Sequence, residues 1–381
     1  MTHDIISSGW LIIGSSDDPR VVGFQSALNG IGCDAQTLDY LADWEQTLPE
    51  QLTPETCLRI ESPGHDLDAI QRLMSNGCEP ARLAGFQVVD EAQFGKSYLE
   101  QGAFIAPHQL YFGLQHYLRG LEQHLVNYPV AWTMNHIDDI LLFYDKQQCH
   151  QRLTGQQLPT PPAMYDIGGF EQLMSAMDDN GLKRVFIKPR YGSGASGILA
   201  LDRRPHLLSA LTTIEVANDS WFNTRKLRHL RGHETIAPII DRLAGWGLHC
   251  ERWMPKLRIG PFETDCRFLI VDGHVDFAVL RKSRSPITNL HLLNQRADIS
   301  EVRSLLSQDV WNQIEITLSG IARMFPKSFH LAVDLAIHAN RRDHFVLEIN
   351  AFGDFLQNVF HQGMNSYQWQ LDRFRARTPW R

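Results

Sequence analysis

The chain has 381 residues, 43% of them hydrophobic, and a formal net charge of −7. This length and apolar content describe a globular protein of about two or three domains with real cores. The acidic balance argues against generic nucleic-acid binding and leaves room only for a local basic groove. Six scattered cysteines (Cys33, Cys57, Cys78, Cys149, Cys250 and Cys266) form no CxxC pair, so they read as reduced thiols and offer no zinc site. The opening "MTHDIISSGWLIIGSSDD" carries no Lys or Arg before a short apolar run, which predicts a first strand rather than a signal peptide. No run approaches a membrane span, and the expected location is the cytoplasm. No segment specifies an oligomeric state.

In chain order, "WLIIGSSDDPRVVGFQSALNGIGCDAQTLDY" predicts strand, turn, helix and strand, with Gly14 at the turn and Gly30 and Gly32 after the helix. "CLRIESPG" at 57–64 predicts the next strand and its exit, so residues 1–130 form a small open-sheet α/β domain. The exit fits a plain loop and, at a strand end, equally a substrate site. "FGKS" at 94–97 is discounted as a nucleotide loop, because position 90 is Asp where a P-loop needs glycine.

Residues 130–165 read as a helical junction carrying Asp145 and Lys146, with a Pro-rich exit. A helix near "GFEQLMSAMDDNGL", a strand "KRVFIKP", a loop "RYGSGASG" and a strand "ILALD" follow. Residues 221–249 read as mostly helical and basic. Their "TRKLRHLRGH" fits a solvated helix face, or a receiver for an anionic substrate or peptide leader.

In "FIKPRYGSGASGILAL", Lys188 sits at a strand end before three glycines and two serines. Glycines let backbone N–H groups approach an anion closely, and the lysine adds charge, so a phosphate is the natural ligand. A strand follows this loop where a Walker loop would have a helix; a plain Gly/Ser turn fits as well. Near the C-terminus, "HLAVDLAIHANRRDHFVLEINAFGDF" predicts a hairpin. If the turn centres on Arg341, Asp334 and Glu348 face each other, and Asn350 shares the Glu348 face. Two carboxylates and an amide on one face suit a hard cation such as magnesium, although a solvated acidic strand face reads the same way.

Taken together, "YDK" at 144–146, "FIKPRYGSGASG" at 186–197, "HCERWMP" at 249–255, "DCRFLIVDG" at 265–273, "LRKSRSPITNLHL" at 280–292, "VDL" at 333–335 and "LEIN" at 347–350 resemble the ATP-grasp ligases. Within them the order is most similar to the branch of the ribosomal-protein glutamate ligase and bacterial glutathione synthetase. The resemblance covers roughly residues 131–381 and rests on the ordered set of motifs.

The resemblance implies that Lys146 and Lys188 contact ATP phosphates, with Ser193, Gly194, Ala195, Ser196 and Gly197 in the flap over them. It assigns Glu251, Arg252, Trp253 and Met254 to the adenine linker. Arg267 would lie near metal and phosphates, and Arg281 and Asn289 near the reacting carboxylate and γ-phosphate. Asp334, Glu348 and Asn350 would hold magnesium. Two departures stand out: "NAFGDF" replaces the family's NxxPG, and the ribose acid lacks a clear counterpart unless Glu263 or Asp265 serves.

The expected architecture is therefore α/β: an N-terminal open-sheet domain (1–130), then a two-lobed α+β ATP-grasp unit with a lid lobe (131–255) and a metal-bearing core lobe (256–381). The implied activity is ATP-dependent ligation of a carboxylate to an amine, thiol or hydroxyl through an acyl phosphate, with ATP and two magnesium ions, or manganese, as cofactors. The substrates would be small molecules or peptides, with neither nucleic acid nor membrane as partner. The alternative is an ATP-binding peptide-modifying or regulatory protein that needs a protein or peptide partner for turnover. GxSxG, CxxC and HExxH patterns are absent, in keeping with a reaction that needs no protein nucleophile.

Overall fold

The computed structural model describes residues 9–43, 46–48, 52–94, 102–128, 130–192, 194–217, 220–289, 292, 294–352, 356 and 358–377. Ser193, Leu290, residues 95–97 of the discounted "FGKS" and the "GDF" at 353–355 lie outside the described residues.

The N-terminal sheet contains β1 (Trp10–Ile13), β2 (Ala35–Leu38), β3 (Cys57–Ile60) and β4 (Trp132–Thr133), all parallel, in the order β2-β1-β3-β4. β1 and β3 are buried at every position, as parallel strands covered on both faces must be. The intervening helix α1 (Pro19–Asn29) starts where its sequence signals: Asp18 caps it by accepting from the Arg20 N–H, and proline occupies its first turn.

Helices α2 (Leu67–Leu83) and α3 (Pro107–Asn127) then pack so closely that a Cβ at Gly77 would overlap the Gln109 carbonyl oxygen, and one at Gly113 that of Leu73. The crossing requires glycine on both sides.

Helices α4 (Ile137–Tyr144) and α5 (Lys146–Gly155) lead to an antiparallel sheet of β5 (Ala163–Met164), β6 (Arg184–Pro189), β7 (Leu199–Arg204), β8 (Leu207–Ala217), β9 (Ser220–Arg231) and β10 (Leu248–Arg252), ordered β5-β10-β6-β7-β8-β9. Helices α6 (Phe170–Asp179) and α7 (His233–Ala244) bury Leu173, Met177, Ile236 and Ile240 with Val185, Ile187 and Leu201 of this sheet.

The helix expected across 221–249 is half wrong. Residues 220–231 form edge strand β9, and only after Gly232, at φ 84°, does α7 begin. A charged edge strand resists pairing with other chains, so the basic residues suit β9 as well as they would a helix face.

The third sheet holds β11 (Arg258–Ile259), β12 (Phe262–Val271), β13 (His274–Ser283), β14 (Gln295–Ala297), β15 (His330–Ile337) and β16 (His344–Asn350). Its order is β14-β13-β12-β15-β16, with β11 on β12. Helices α8 (Ser300–Arg303) and α9 (Gln308–Met324) come between β14 and β15, and α9 buries Trp311, Ile314, Leu318 and Ile321 in one core with Phe268, Ile270, Val333 and Leu335.

On the opposite face, Leu269 and Ala332 join a core with Trp10, Ile12 and Phe24 of the N-terminal domain and with the last helix, α10 (Ser366–Ala376). Two residues along the same strands from Leu269 and Ala332 lie Arg267 and Asp334, paired in register. One face of the sheet thus passes from domain packing to charge.

Helix α10 is fixed by the buried Arg59, which donates to Glu61 and to Gln370 and lies 4.0 Å from the Phe24 ring centre. The six cysteines are free. Among the described residues no helix is long and apolar enough to cross a membrane.

Candidate active-site cleft

The hairpin of β15 and β16 places Asp334 opposite Glu348 and Ala332 opposite Asn350. The pairing centre expected at Arg341 holds for these residues. Beyond a bulge after Asp334 the register shifts by one, so Leu335 pairs with Val346 and both Leu347 and Glu348 reach the cleft. Arg341 itself takes a left-handed conformation, φ 60°, in the turn.

Asp334 is 2% exposed and accepts from Arg267 Nε at 2.6 Å and Nη2 at 2.8 Å, while Arg281 Nη2 stands 3.0 Å from its Oδ2. Burial raises the Asp334 carboxyl, but the two guanidiniums outweigh it and hold the group well below the usual carboxylate range.

Glu348 is held differently. Its side chain is 25% exposed, with Lys146 Nζ at 3.7 Å and Arg267 Nη2 at 4.0 Å.

The charges continue along β12 and β13. Arg281 Nε donates to Asp265 Oδ1 at 2.6 Å. The other Asp265 oxygen accepts from the Thr288 hydroxyl and lies 3.8 Å from Lys256 Nζ. Glu348, Arg267, Asp334, Arg281, Asp265 and Lys256 therefore make a row of alternating sign. Asp265, raised as a candidate ribose acid, lines the same cleft and is held in this buried network by Arg281 and Thr288.

The opposite wall comes from the antiparallel sheet. Asp145 ends α4 and caps α5, accepting from the N–H groups of Gln147 and Gln148 and bidentately from Arg190 at 2.8 and 2.7 Å. This fixes Lys146 in the first turn of α5, where its Nζ donates to the Gly192 carbonyl and faces Glu348. Lys188 on β6 ion-pairs with Glu251 on β10, and both are buried. Burial works against the Glu251 carboxylate, yet the Lys188 charge and the His249 hydrogen bond hold its carboxyl down at about 2.

The loop between β6 and β7 has left-handed backbone at Gly194 (φ 64°), Ala195 (φ 63°) and Gly197 (φ 71°). Its exit is fixed: Gly197 N–H donates to Asn223 at 3.3 Å, and the Phe104 ring leaves no room for a Cβ at Gly197.

Lys146, Lys188, Gly194, Ala195, Ser196, Glu251, Arg281, Asn289, Asp334 and Glu348 line one cleft of about 660 Å3, counted out to open solvent. Arg267 lies behind Asp334, and Gly197 against Phe104. Arg252, Trp253 and Met254 do not line it; Arg252 is exposed, and the N–H groups of Arg252 and Trp253 already donate to Pro162 and Arg184 carbonyls at 2.7 and 3.1 Å.

Lys256, Thr288, Phe186, Ile198 and Leu347 also line the cleft and escaped sequence reasoning. Lys256 stands two residues past Met254 in "WMPKLR", where nothing local separates it from a surface lysine. Glu122, His136 and Asp138 converge elsewhere, but Arg119 pairs with both carboxylates at 2.7 and 2.6 Å and satisfies them.

The donor set fits a hard divalent cation. Two carboxylates oppose each other across a strand pair, one of them without a tight ion pair; Asn350 follows two residues after Glu348 on the same strand but is not among the residues that line the cleft.

The sequence matches no family model and no curated protein. Solved structures nevertheless share the fold across almost the whole chain. The D-cycloserine synthetase DcsG is similar with a TM-score of 0.55 and 11% identity, over 97% of this chain and 99% of that one. The macrocyclase MdnC, bound to precursor peptide MdnA from Microcystis aeruginosa MRC, gives 0.52 and 12%, over 97% and 99%. The ATP-grasp ligase PsnB, complexed with a phosphomimetic variant of its minimal precursor, Mg and ADP, gives 0.50 and 14%, over 97% and 99%. The chain has the ATP-grasp ligase fold.

Proposed function

We propose that this protein is an ATP-dependent ligase that joins a carboxylate to an amine, or to a thiol or hydroxyl, through an acyl phosphate. The observation that carries this reading is the opposition of Asp334 and Glu348 beside Lys146, in a cleft shared with Lys188 and the glycine-rich loop. The complex of PsnB with Mg and ADP supports it.

In this reading Lys146, Lys188 and loop 194–197 hold the phosphates, while Phe186 and Ile198 give the base an apolar seat beside the 251–254 linker. Asp334, Glu348 and Asn350 would hold magnesium, two ions with manganese as a substitute. When bound, the metal supplies charge neutralisation at the terminal phosphates.

A substrate carboxylate oxygen attacks the γ-phosphorus, the bond to the β-phosphate oxygen breaks, and ADP leaves with the electron pair. The acceptor then attacks the acyl carbon, phosphate departs, and the acceptor loses a proton. The chain's part is positioning and electrostatics: Lys146 and Lys188 offset the phosphate charge, and Arg267 and Arg281 keep Asp334 ionised. The substrate class spans small molecules and peptides, since DcsG is named for a small product and MdnC and PsnB are bound to precursor peptides.

The test is ADP formation from magnesium-ATP with and without a small-molecule extract, using Glu348→Gln as the blank and mass spectrometry to identify the products. Extract-stimulated ADP with a condensed product establishes the ligase. ATP binding without stimulated turnover favours the partner-dependent alternative. Turnover by Glu348→Gln equal to the natural protein would overturn the metal assignment.

A further inference from the structure

Helix α9 presents two faces. Trp311, Ile314, Leu318 and Ile321 bury one of them in the core. Gln313, Ile316, Thr317, Gly320, Arg323 and Met324 recur at helical spacing on the other and form one side of an open groove. The remaining sides are the end of α5 with its exit, at Arg152 and 156–159, and the hairpin turn at 342–344. None of these residues lines the active-site cleft.

The walls are pinned to one another. The Thr317 hydroxyl and His344 Nε2 stand 2.8 Å apart, the Val346 N–H donates to the Pro159 carbonyl at 2.8 Å, and a Cβ at Gly320 would touch Leu158 at 3.4 Å. Counted out to open solvent the groove holds about 1770 Å3, against about 660 Å3 for the cleft, room for a chain segment rather than one small group.

Its charge is one-sided. Arg152, Arg323 and Arg342 are exposed, and their guanidiniums have no carboxylate within ion-pair distance among the described residues, whereas the equally exposed Arg82 and Arg204 each hold one. Asp343, the acid in the lining, is occupied, since Asn340 Nδ2 donates to its Oδ2 at 2.6 Å. Acids outnumber bases 43 to 36 over the chain, so unpaired arginines converging on one groove run against its average charge. The same lining carries Ile316, 57% exposed, and the amides of Gln156, Gln157 and Gln313, which can pair with a peptide backbone.

We propose that this groove docks an acidic peptide segment, with its carboxylates on Arg152, Arg323 and Arg342 and an apolar side chain on Ile316. Apolar surface beside amide donors and acceptors selects a peptide over an inorganic polyanion. The lining offers no Phe, Tyr or Trp on which a nucleobase would stack. Lys146 and Arg152 lie six residues apart on α5, about 9 Å by helical rise, and His344 and Glu348 lie four apart on β16, about 13 Å. Docking here is recognition away from the reacting atoms, and it stands whether or not the ATP-dependent reading holds.

The test is fluorescence anisotropy of the full chain with a labelled short glutamate peptide carrying one leucine, and with the same peptide made of glutamine. The natural protein should bind the glutamate peptide, more weakly as salt rises, and bind the glutamine peptide poorly. Arg323→Gln should weaken binding by about two- to fivefold, and combining it with Arg152→Gln and Arg342→Gln should weaken it by about tenfold or more. Ile316→Asp should weaken it as well. These side chains are exposed, so the urea midpoints should stay in place.

No binding, equal binding of the two peptides, or an affinity untouched by the combined variant would overturn the assignment. An oligonucleotide that displaces the glutamate peptide at equal concentration would overturn it in favour of a nucleic acid. A natural protein that sediments as a dimer, with the combined variant a monomer, would overturn it in favour of an interface between two copies of this chain.

Discussion

Replacing Asp334 by Asn and, separately, Glu348 by Gln should produce opposite results, although the two residues face each other across one strand pair. Asp334 is almost fully buried and takes three short contacts from Arg267 and Arg281, at 2.6, 2.8 and 3.0 Å. Neutralising it removes the carboxylate that Arg267 grips with two N–H groups, while Arg281 keeps Asp265. Removing one partner from a buried ion pair costs about 3–5 kcal/mol. That is a large share of a typical total stability of about 5–15 kcal/mol.

Glu348 is 25% exposed, and its closest cation is 3.7 Å away, so its amide should cost no more than about 1 kcal/mol. Urea denaturation without nucleotide, read as the change in midpoint at a common slope, measures both. Magnesium-dependent stabilisation by ATP should vanish in Glu348→Gln even though the fold is intact. A cost below about 1 kcal/mol for Asp334→Asn, or equal costs for the two variants, would refute this account of the cleft.

Other outcomes follow from the same contacts. Lys188→Met should strand the Glu251 carboxylate and lower stability by about 3 kcal/mol, and adding Glu251→Gln should recover part of the loss in a double-mutant cycle. An additive pair would contradict a shared ion pair. Gly113→Ala should cost at least about 1–3 kcal/mol in chemical denaturation, because its Cβ meets the Leu73 backbone and not a movable side chain.

Burial holds His108 at about 4 while its Nε2–H donates to the Gln87 carbonyl at 2.7 Å. The unfolded imidazole protonates first, so the His108 contribution is fully present above about pH 6.5 and is lost as pH falls toward 4. The loss should reach about 3 kcal/mol, and His108→Gln should flatten the stability–pH curve over that window.

What the sequence made legible was local chemistry with a short period. The β15–β16 hairpin could be read because "VDL" and "LEIN" flank a turn-rich "ANRRD", and a two-residue side-chain period then fixes which atoms meet. The bulge after Asp334 could not be read, since one inserted residue changes the register without changing the composition. Strand β9 was misread because Arg225, Lys226, Arg228 and Arg231 suit a solvated helix and a charged edge strand alike. What settles the matter is pairing with β8, a contact that the local pattern does not encode. Lys256 was missed for a related reason: its burial depends on Thr288 and Asp265, which arrive from elsewhere in the chain.

The same nonlocality explains how an acidic chain can gather cations around one cleft. Over the whole sequence acids outnumber bases, with a formal charge of −7. Around the cleft, however, Arg267, Arg281, Lys256 and Lys146 are interleaved with Asp334, Glu348, Asp265 and the nearby Glu263, while Lys188 and Glu251 offset each other. The acidic excess of the whole chain is absent there, and each of these charges lies in a partly enclosed, low-dielectric space where it acts more strongly than on the open surface.

The division of labour within that set is physical. Arginines, whose planar forks suit two carboxylates at once, are locked into the frame. Lys146 and Lys256, as point charges on flexible stems, rest against carbonyls and a hydroxyl from which they can turn, whereas Lys188 is paired with Glu251. Exchanging the types should therefore separate the two roles. Arg281→Lys should lower stability in urea denaturation, because one ammonium cannot serve Asp265 and Asp334 as a guanidinium does, whereas Lys256→Met should cost less, since its ammonium has only neutral acceptors within hydrogen-bond distance. If Lys256→Met lost more stability than Arg281→Lys, the frame and the mobile cation would have been assigned the wrong way round.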